Sequence, residues 1–256
     1  MLLSGKSLAL SCRWNCCPRY PANLIPQFSY MLAKHGDRVF INLDFVQNFT
    51  RHFILWGARK KFVLVCQNSD RQFNEERLRQ LAPYALHIYS INCPLEHPTV
   101  TAIPIGFGDW SLNYIESHPR PDVPRDIEIL AGFSIATNPA KRQPCADALA
   151  NNPNALNGMT TNRADFYDRL WRSKYVVCPE GEGHDTHRIY ESLYFGAVPV
   201  LLRGNPLTHM YNRLELPIKW VDSWEEIDTS EWDDDKRRLE DWVSNHPDWF
   251  GRTYIS

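Results

Sequence analysis

A layered α/β fold in two domains is predicted by three observations on this chain of 256 residues. Short apolar runs alternate with polar, helix-forming segments along most of the sequence, which is how a sheet flanked by helices is encoded. Pro119, Pro121 and Pro124 crowd a polar stretch near the middle, where helix and central strand are both disfavoured. The length suits two compact domains of about 100–150 residues each, or one large one. The expected division is therefore 1–124 and 125–256, the second ending in a helix.

Taken in order, residues 1–10 carry a weak apolar stretch that reads as a first strand. Residues 38–43 (RVFINL) and 61–66 (KFVLVC) are strands, and the second is apolar without a break, as in a parallel strand covered on both faces. Gln67-Asn68-Ser69-Asp70 stops it, and a helix is predicted over 74–81. Segments 86–91 and 100–105 read as further strands. The stretch 106–127, rich in Pro, His, Asp and Asn, is the expected crossover, without helix. Beyond it, 127–135 (IEILAGFSI) reads as strand, 151–162 as loop, 164–171 as helix and 175–178 as strand. Residues 197–202 form another strand, in which Pro199 argues for an edge position or a bulge. Trp220 and Val221 make a short strand, and a helix from Ser230 or Asp233 to Asn245 completes the pattern.

Composition excludes several functions. A net charge of -2, with 28 Lys and Arg scattered along the chain, gives no concentrated basic surface, so no nucleic-acid partner is expected. Acidic residues gather late: ten lie between Asp222 and Asp241 against Lys236, Arg237 and Arg238, and they read as a solvated face around the terminal helix. No run approaches the roughly 18 apolar residues of a membrane span, so none is expected. Seven cysteines, an odd number unevenly spread, with Cys66 and Cys178 in or beside apolar runs, suit reduced core thiols and a cytoplasmic location. Nine Trp and eleven Tyr fit a cleft that stacks flat ligands or sugars, and they fit large cores equally.

The most informative stretch is 178–200, CPEGEGHDTHRIYESLYFGAVPV. A strand ends at Cys178, and Gly181 and Gly183 then permit a tight turn and close approach of a ligand to the backbone. Asp185 or Thr186 can cap the helix that follows. The remaining free amides and the helix dipole favour a phosphate there, and Arg188 in the first turn can grip it with two parallel donors. Glu191, three residues on, shares that helical face and can accept from a vicinal diol such as a ribose. Ile189 and Leu193 supply a buried stripe, and Gly196 ends the helix. On these residues alone, a surface ion pair between Arg188 and Glu191 on an ordinary helix is an equal reading. Glu180 and Glu182 beside the turn would repel a phosphate unless they bond to hydroxyls or point away.

Residues 173–200 resemble the donor-binding motif of exostosin-like and fucosyltransferase-like glycosyltransferases. The matching positions are Pro179, Glu180, Gly181, Gly183, Asp185, Arg188, Glu191, Leu193, Gly196, Pro199 and Val200, with Ser192 where those proteins usually carry alanine. Phe133-Ser-Ile-Ala-Thr-Asn-Pro-Ala-Lys-Arg142 resembles the segment that opens the donor domain and gives a basic phosphate contact. Gln67–Asp70 and Ile103–Gly106 look more loosely like the acceptor-side domain. The resemblance implies a compact GT-B-like arrangement of two Rossmann-like domains with an interdomain cleft. It implies a nucleotide-sugar donor (UDP-, GDP- or dTDP-linked) held by Arg142, Glu180, Gly181, Gly183, Asp185, Thr186, Arg188 and Glu191. No tightly bound cofactor and no metal are expected, and the acceptor would be a glycan or other hydroxyl compound.

Glycosyl transfer requires that the leaving diphosphate be stabilised, which falls to Arg188 with Arg142 or Lys141. An inverting enzyme also needs a base, and Asp70, just past the end of the 61–66 strand, is the first candidate. Asp44, Glu96 and His97 occupy comparable loops, and each carboxylate also reads as a turn or helix cap. The alternative reading is a noncatalytic carbohydrate- or nucleotide-binding module that retains the donor pocket. Other motifs are weaker. Cys12, Cys16 and Cys17, with Cys93 or His97, lack a zinc-knuckle spacing. Asp233-Asp234-Asp235 precedes a helix instead of ending a strand, so capping or solvation explains it. Ser4-Gly-Lys-Ser7 lacks the upstream glycine of a phosphate loop. Ser69 and Asp70 have no nucleophile-elbow pattern around them.

Overall fold

The computed structural model describes residues 2–118, 123–160 and 162–249, so the expectation for Pro119 and Pro121 lies outside the described residues. The chain forms two α/β units, Met1–Asp109 and Trp110–Phe250. Each is a five-stranded, wholly parallel, Rossmann-like sheet with helices between its strands.

The first unit runs α1 (Gly5–Leu10), β1 (Trp14–Asn15), β2 (Arg38–Ile41), α2 (Val46–Thr50), α3 (Phe53–Trp56), β3 (Phe62–Cys66), α4 (Glu75–Leu81), β4 (Ala85–Ser90) and β5 (Val100–Ala102). The strand expected over residues 1–10 is replaced by α1. Ser4 and Ser7 cap that helix reciprocally, each side chain accepting the other's backbone N–H, and Leu8 and Ala9 bury its inner face. The strands predicted over 38–43, 61–66 and 100–105 are present with trimmed ends, and that over 86–91 is present one residue earlier. β3 is buried at four of five positions, as its unbroken apolar run requires. α4 starts where Asn74 accepts the Arg77 N–H at 3.1 Å.

Strand order in this sheet is β1-β2-β3-β4-β5, with no reversal. Its C-terminal edge is furnished with side-chain amides. Asn15 ends β1, Asn42 follows β2, and Asn68 and Asn92 come two residues after β3 and β4. Asn15 donates to the carbonyls of Cys17 (2.9 Å) and Tyr20 (2.7 Å), Asn42 to that of Asn68, and Asn68 to the Tyr20 hydroxyl (2.7 Å). Asn68 and Asn92 adopt left-handed φ values of 60° and 49°, a conformation asparagine tolerates better than most residues. Gly106, at φ 69°, leaves no room for a side chain: a Cβ there would stand 2.4 Å from the Leu3 carbonyl oxygen.

The second unit runs α5 (Asp109–Ser117), β6 (Ile127–Ala131), α6 (Pro139–Leu149), β7 (Ala155–Asn157), α7 (Arg163–Arg172), β8 (Ser173–Val177), α8 (His187–Tyr194), β9 (Val198–Leu202), α9 (Thr208–Arg213), β10 (Lys219–Val221) and α10 (Trp232–Asn245). Four expectations need correction. The stretch 106–127 does contain a helix, because its prolines lie beyond α5. Tyr114 of α5 stacks on Tyr167 at 4.2 Å, which packs residues 110–118 with the second unit. The strand begun at Ile127 ends at Ala131. The loop expected over 151–162 includes the edge strand β7, paired with β6 from Ile129↔Ala155 to Ala131↔Asn157. Pro199 sits in an interior strand without a bulge: β9 lies between β8 and β10. Val200 turns its carbonyl to the Cys178 amide, so Pro199 faces the β10 side. The β9–β10 ladder begins one residue later, at Val200↔Lys219, and the missing N–H interrupts no bond there.

The acidic stretch is also not wholly solvated. Asp235 is buried and accepts from Tyr175 (2.9 Å), Lys219 (2.9 Å) and Arg238 (3.0 Å), and Glu231 pairs with the same lysine. Burial alone would lower the Lys219 pKa, but Glu231 and then Asp235 outweigh it and hold it above its usual value. This polar knot fastens α10 to the sheet. Among the described residues, no helix is long and apolar enough to cross a membrane.

Candidate functional site

Strand order in the second sheet is β10-β9-β8-β6-β7. From β6 the chain moves outward to β7, returns to β8 on the other side, and continues away through β9 and β10. The reversal falls between β6 and β8, and open α/β sheets bind ligands in the crevice at the C-terminal ends of such a strand pair. Here those ends lead into Gly132–Ser134 after β6 and Cys178–Gly181 after β8, the latter being the start of the motif singled out in the sequence.

Two guanidinium groups meet at this crevice. Arg142, on the first turns of α6, donates to the Ser134 carbonyl at 2.8 Å and the Glu180 carbonyl at 3.0 Å, tying the two strand ends together. Arg188, in the first turn of α8, donates to the Gly132 carbonyl at 2.7 Å, and its Cζ lies 4.0 Å from the centroid of Phe166. Burial, and after it the charge of Arg188, hold the Arg142 pKa below the usual guanidinium range. Backbone carbonyls orient both groups without cancelling their charge. The Nε of Arg188 is buried and has no hydrogen-bond partner among the described residues, its nearest counter-charge being Glu191 at 3.6 Å.

Helix α6 was not expected from the sequence. Pro139 and Pro144 obscured it, although Asn138 as cap followed by proline at the first helical position is a helix-start signal. Asn138 also donates to the Gly181 carbonyl at 2.7 Å. Gly181 packs closely: a Cβ there would stand 3.0 Å from the Arg142 guanidinium and push it aside by a few tenths of an ångström, while the backbone of Gly181 avoids the left-handed region. Gly183 is a half-buried member of the same turn. Thr186 is the cap of α8, accepting the Arg188 N–H at 3.0 Å.

The carboxylates have partners of their own. Asp185 is buried and accepts from the Tyr190 hydroxyl (2.7 Å), the Tyr211 hydroxyl (3.0 Å) and the Thr186 amide (3.0 Å). Glu191 is buried and takes the Ser111 hydroxyl on one oxygen while facing Arg188 with the other. The Arg188–Glu191 pair is thus an interior one, and Glu191 orients the arginine and ties α5 to α8. Glu180 meets Lys141 at 3.2 Å and His184 at 2.5 Å, which removes the repulsion it would otherwise exert on a phosphate, and Glu182 is exposed.

Burial alone would raise the Glu180 carboxyl, but His184 and then Lys141 more than offset it, leaving the pKa below the usual range. A carboxyl depressed on folding contributes stability that is complete above its unfolded value of about 4.3 and is lost as the pH falls through the lower folded value. Denaturation midpoints followed from neutral to acid pH are therefore expected to fall less steeply in Glu180→Gln than in the wild type. An unchanged slope would remove this pair from the acid sensitivity.

A cavity of about 80 Å³ opens between the ends of β8 and β9, lined by Lys141, Glu180, Arg203, Asn205 and Trp224 among others. The Trp224 indole nitrogen is buried without a hydrogen-bond partner among the described residues. Sequence reading missed Trp224, which sits in a turn after β10 with no local motif around it.

In the first unit, Asp70 is exposed just beyond β3 and makes no hydrogen bond or ion pair with the described residues. Asp44 is engaged by Arg71 at 2.6 Å. All seven cysteines are free and buried. Burial pushes the Cys12 and Cys178 thiols up to about 12, so they stay protonated, poor nucleophiles and poor metal ligands. Among the described residues, no group of three or more His, Cys, Asp or Glu side chains is placed to hold a metal ion.

No family model matches the chain, and no curated protein matches it in sequence. Among solved structures it is similar to an alpha-glucosyltransferase in complex with UDP and a 13-mer DNA containing a central A:G mismatch. The identity is 12%, the match covers 83% of this chain and 72% of that one, and the TM-score is 0.37. At that TM-score residues cannot be paired between the two proteins, and the assignment of fold rests on the two parallel sheets themselves.

Proposed function

We propose that the chain is a glycosyltransferase that moves a sugar from a nucleotide-diphosphate donor to a glycan or other hydroxyl acceptor. The observation that carries this reading is the Arg142–Arg188 pair at the strand-order reversal of the second sheet. Two like charges placed side by side repel each other, and a bound diphosphate turns that cost into attraction. The start of α8 adds the positive end of its dipole. Arg142, Arg188 and Gly181 are the direct contacts in this reading. Thr186, Asp185 and Glu191 set the helix and the arginine, and Glu180 with Lys141 and His184 walls the turn. Gly183 belongs to the same turn and gives the ligand access to the backbone. The guanidinium groups stabilise the charge that develops as the glycosidic bond to the diphosphate breaks, so the transfer is read as metal-independent.

The first unit is assigned to the acceptor, with Asp70 as the base of an inverting reaction. Asp70→Asn is expected to lower turnover by about 100-fold or more while leaving donor affinity unchanged. The assay is a screen of UDP-, GDP- and dTDP-sugars, with products resolved by mass. Undiminished turnover in Asp70→Asn would reject that residue as the base. Absence of binding to every donor by the wild type would reject the donor site.

One observation favours the second reading, a noncatalytic binding module. Among the described residues Asp70 has no hydrogen-bond or ion-pair partner to orient it, whereas a general base is ordinarily held within hydrogen-bond reach of its target. Donor binding by calorimetry without turnover on any acceptor would select the module.

A further inference from the structure

Trp110 is 44% exposed, whereas Trp14, Trp171, Trp224, Trp242 and Trp249 are buried. It is nevertheless firmly held. The next residue, Ser111, is fully buried and donates to Glu191, and Tyr114 one turn on stacks upon Tyr167, which stacks upon Phe195 at 5.4 Å. The indole meets the His187 ring edge to face, with centroids 5.2 Å apart at 86°, and the Arg163 guanidinium lies 5.5 Å from its centre. His187 is the first residue of α8 and directly precedes Arg188. A partly exposed aromatic ring in contact with two hydrogen-bonding side chains therefore stands against the first residue of α8, the helix whose first turn carries Arg188.

We propose that Trp110 is the platform for the donor's sugar ring, which packs its C–H face on the indole while the diphosphate lies on Arg142 and Arg188. This inference rests on the donor-site reading. Its chemistry differs from that of the diphosphate contacts: a pyranose offers an apolar face rimmed by hydroxyls. The indole, with Arg163 over its ring and His187 edge to face with it, still exposes 44% of its surface and offers apolar area beside two hydrogen-bonding groups. Because α5 is already pinned by Ser111 and Tyr114, the ring loses little freedom when a ligand settles on it. Glu191 is then a positioning residue for two contacts at once, orienting Arg188 directly and Trp110 through Ser111.

The test compares UDP with UDP-glucose and UDP-N-acetylglucosamine, and GDP with GDP-mannose and GDP-fucose, by calorimetry on wild type, Trp110→Ala and Trp110→Phe. For the donor that binds, the sugar is expected to tighten wild-type affinity about tenfold over the bare nucleoside diphosphate. Trp110→Ala should lose that increment without changing nucleoside diphosphate affinity, and Trp110→Phe should keep part of it. A sugar increment intact in Trp110→Ala, or absent from the wild type, overturns the platform and leaves the diphosphate site standing. Equal loss for diphosphate and sugar nucleotide in Trp110→Ala also overturns it, because the ring would then serve the nucleotide. No binding of any of these ligands to the wild type overturns the donor site and the platform together.

Discussion

Arg188→Ala is expected to lower turnover by about 100- to 1,000-fold, with a matching loss of nucleoside diphosphate affinity in calorimetry. The guanidinium is held by the Gly132 carbonyl and the Phe166 ring and faces the Glu191 carboxylate at 3.6 Å. Its removal has a second consequence, because Glu191 would remain buried with the Ser111 hydroxyl as its main partner. A buried carboxylate deprived of its counter-charge is strongly destabilising, so urea denaturation must accompany the binding measurement. Arg142→Ala separates the two effects: it removes the other guanidinium but leaves no buried acid behind. Arg188→Lys keeps the charge and loses the planar fork, and should recover only part of the binding. If Arg142→Ala and Arg188→Ala both bound nucleoside diphosphates like the wild type, the crevice between β6 and β8 would not be the donor site.

Lys219→Ala is expected to destabilise the protein by about 3 kcal/mol, read from urea denaturation. Lys219 and Asp235 are both nearly sealed from solvent, and Tyr175 and Arg238 contact the same carboxylate. Truncating the lysine leaves Asp235 facing the phenol and one partly exposed arginine. The paired substitution Lys219→Met with Asp235→Leu should cost less than Lys219→Ala alone, because it removes both charges instead of stranding one. A single variant within about 0.5 kcal/mol of wild type would show that the knot contributes little to stability.

What could be read from the sequence followed how locally each feature is encoded. β3 announces itself by an unbroken apolar run, and α8 by Thr186 at its start, the Ile189–Leu193 stripe and Gly196 at its end. The Arg188–Glu191 spacing placed both residues on one face, as found. The contacts that change their meaning are not local. Ser111 reaches Glu191 from 80 positions away and turns a presumed surface pair into an interior one. Asp235 reads as solvated until Lys219 and Tyr175 arrive from two separate strands. Helix α6 was hidden by its prolines, and Pro199 suggested an edge because a sequence does not show where the register of the neighbouring strand begins. Trp110 looks like any other tryptophan until α5 is seen locked in place around it.

The amides along the edge of the first sheet carry a different kind of consequence. Asn15, Asn42 and Asn68 fix the loops at the ends of their strands with groups that neither gain nor lose a proton at any pH a protein tolerates. Those amide contacts therefore stay the same as the pH moves, while in the second unit the Glu180 carboxyl, held below its usual range, loses its contribution in acid. A pH series that acts on Glu180 would consequently leave these amide contacts of the first sheet in place.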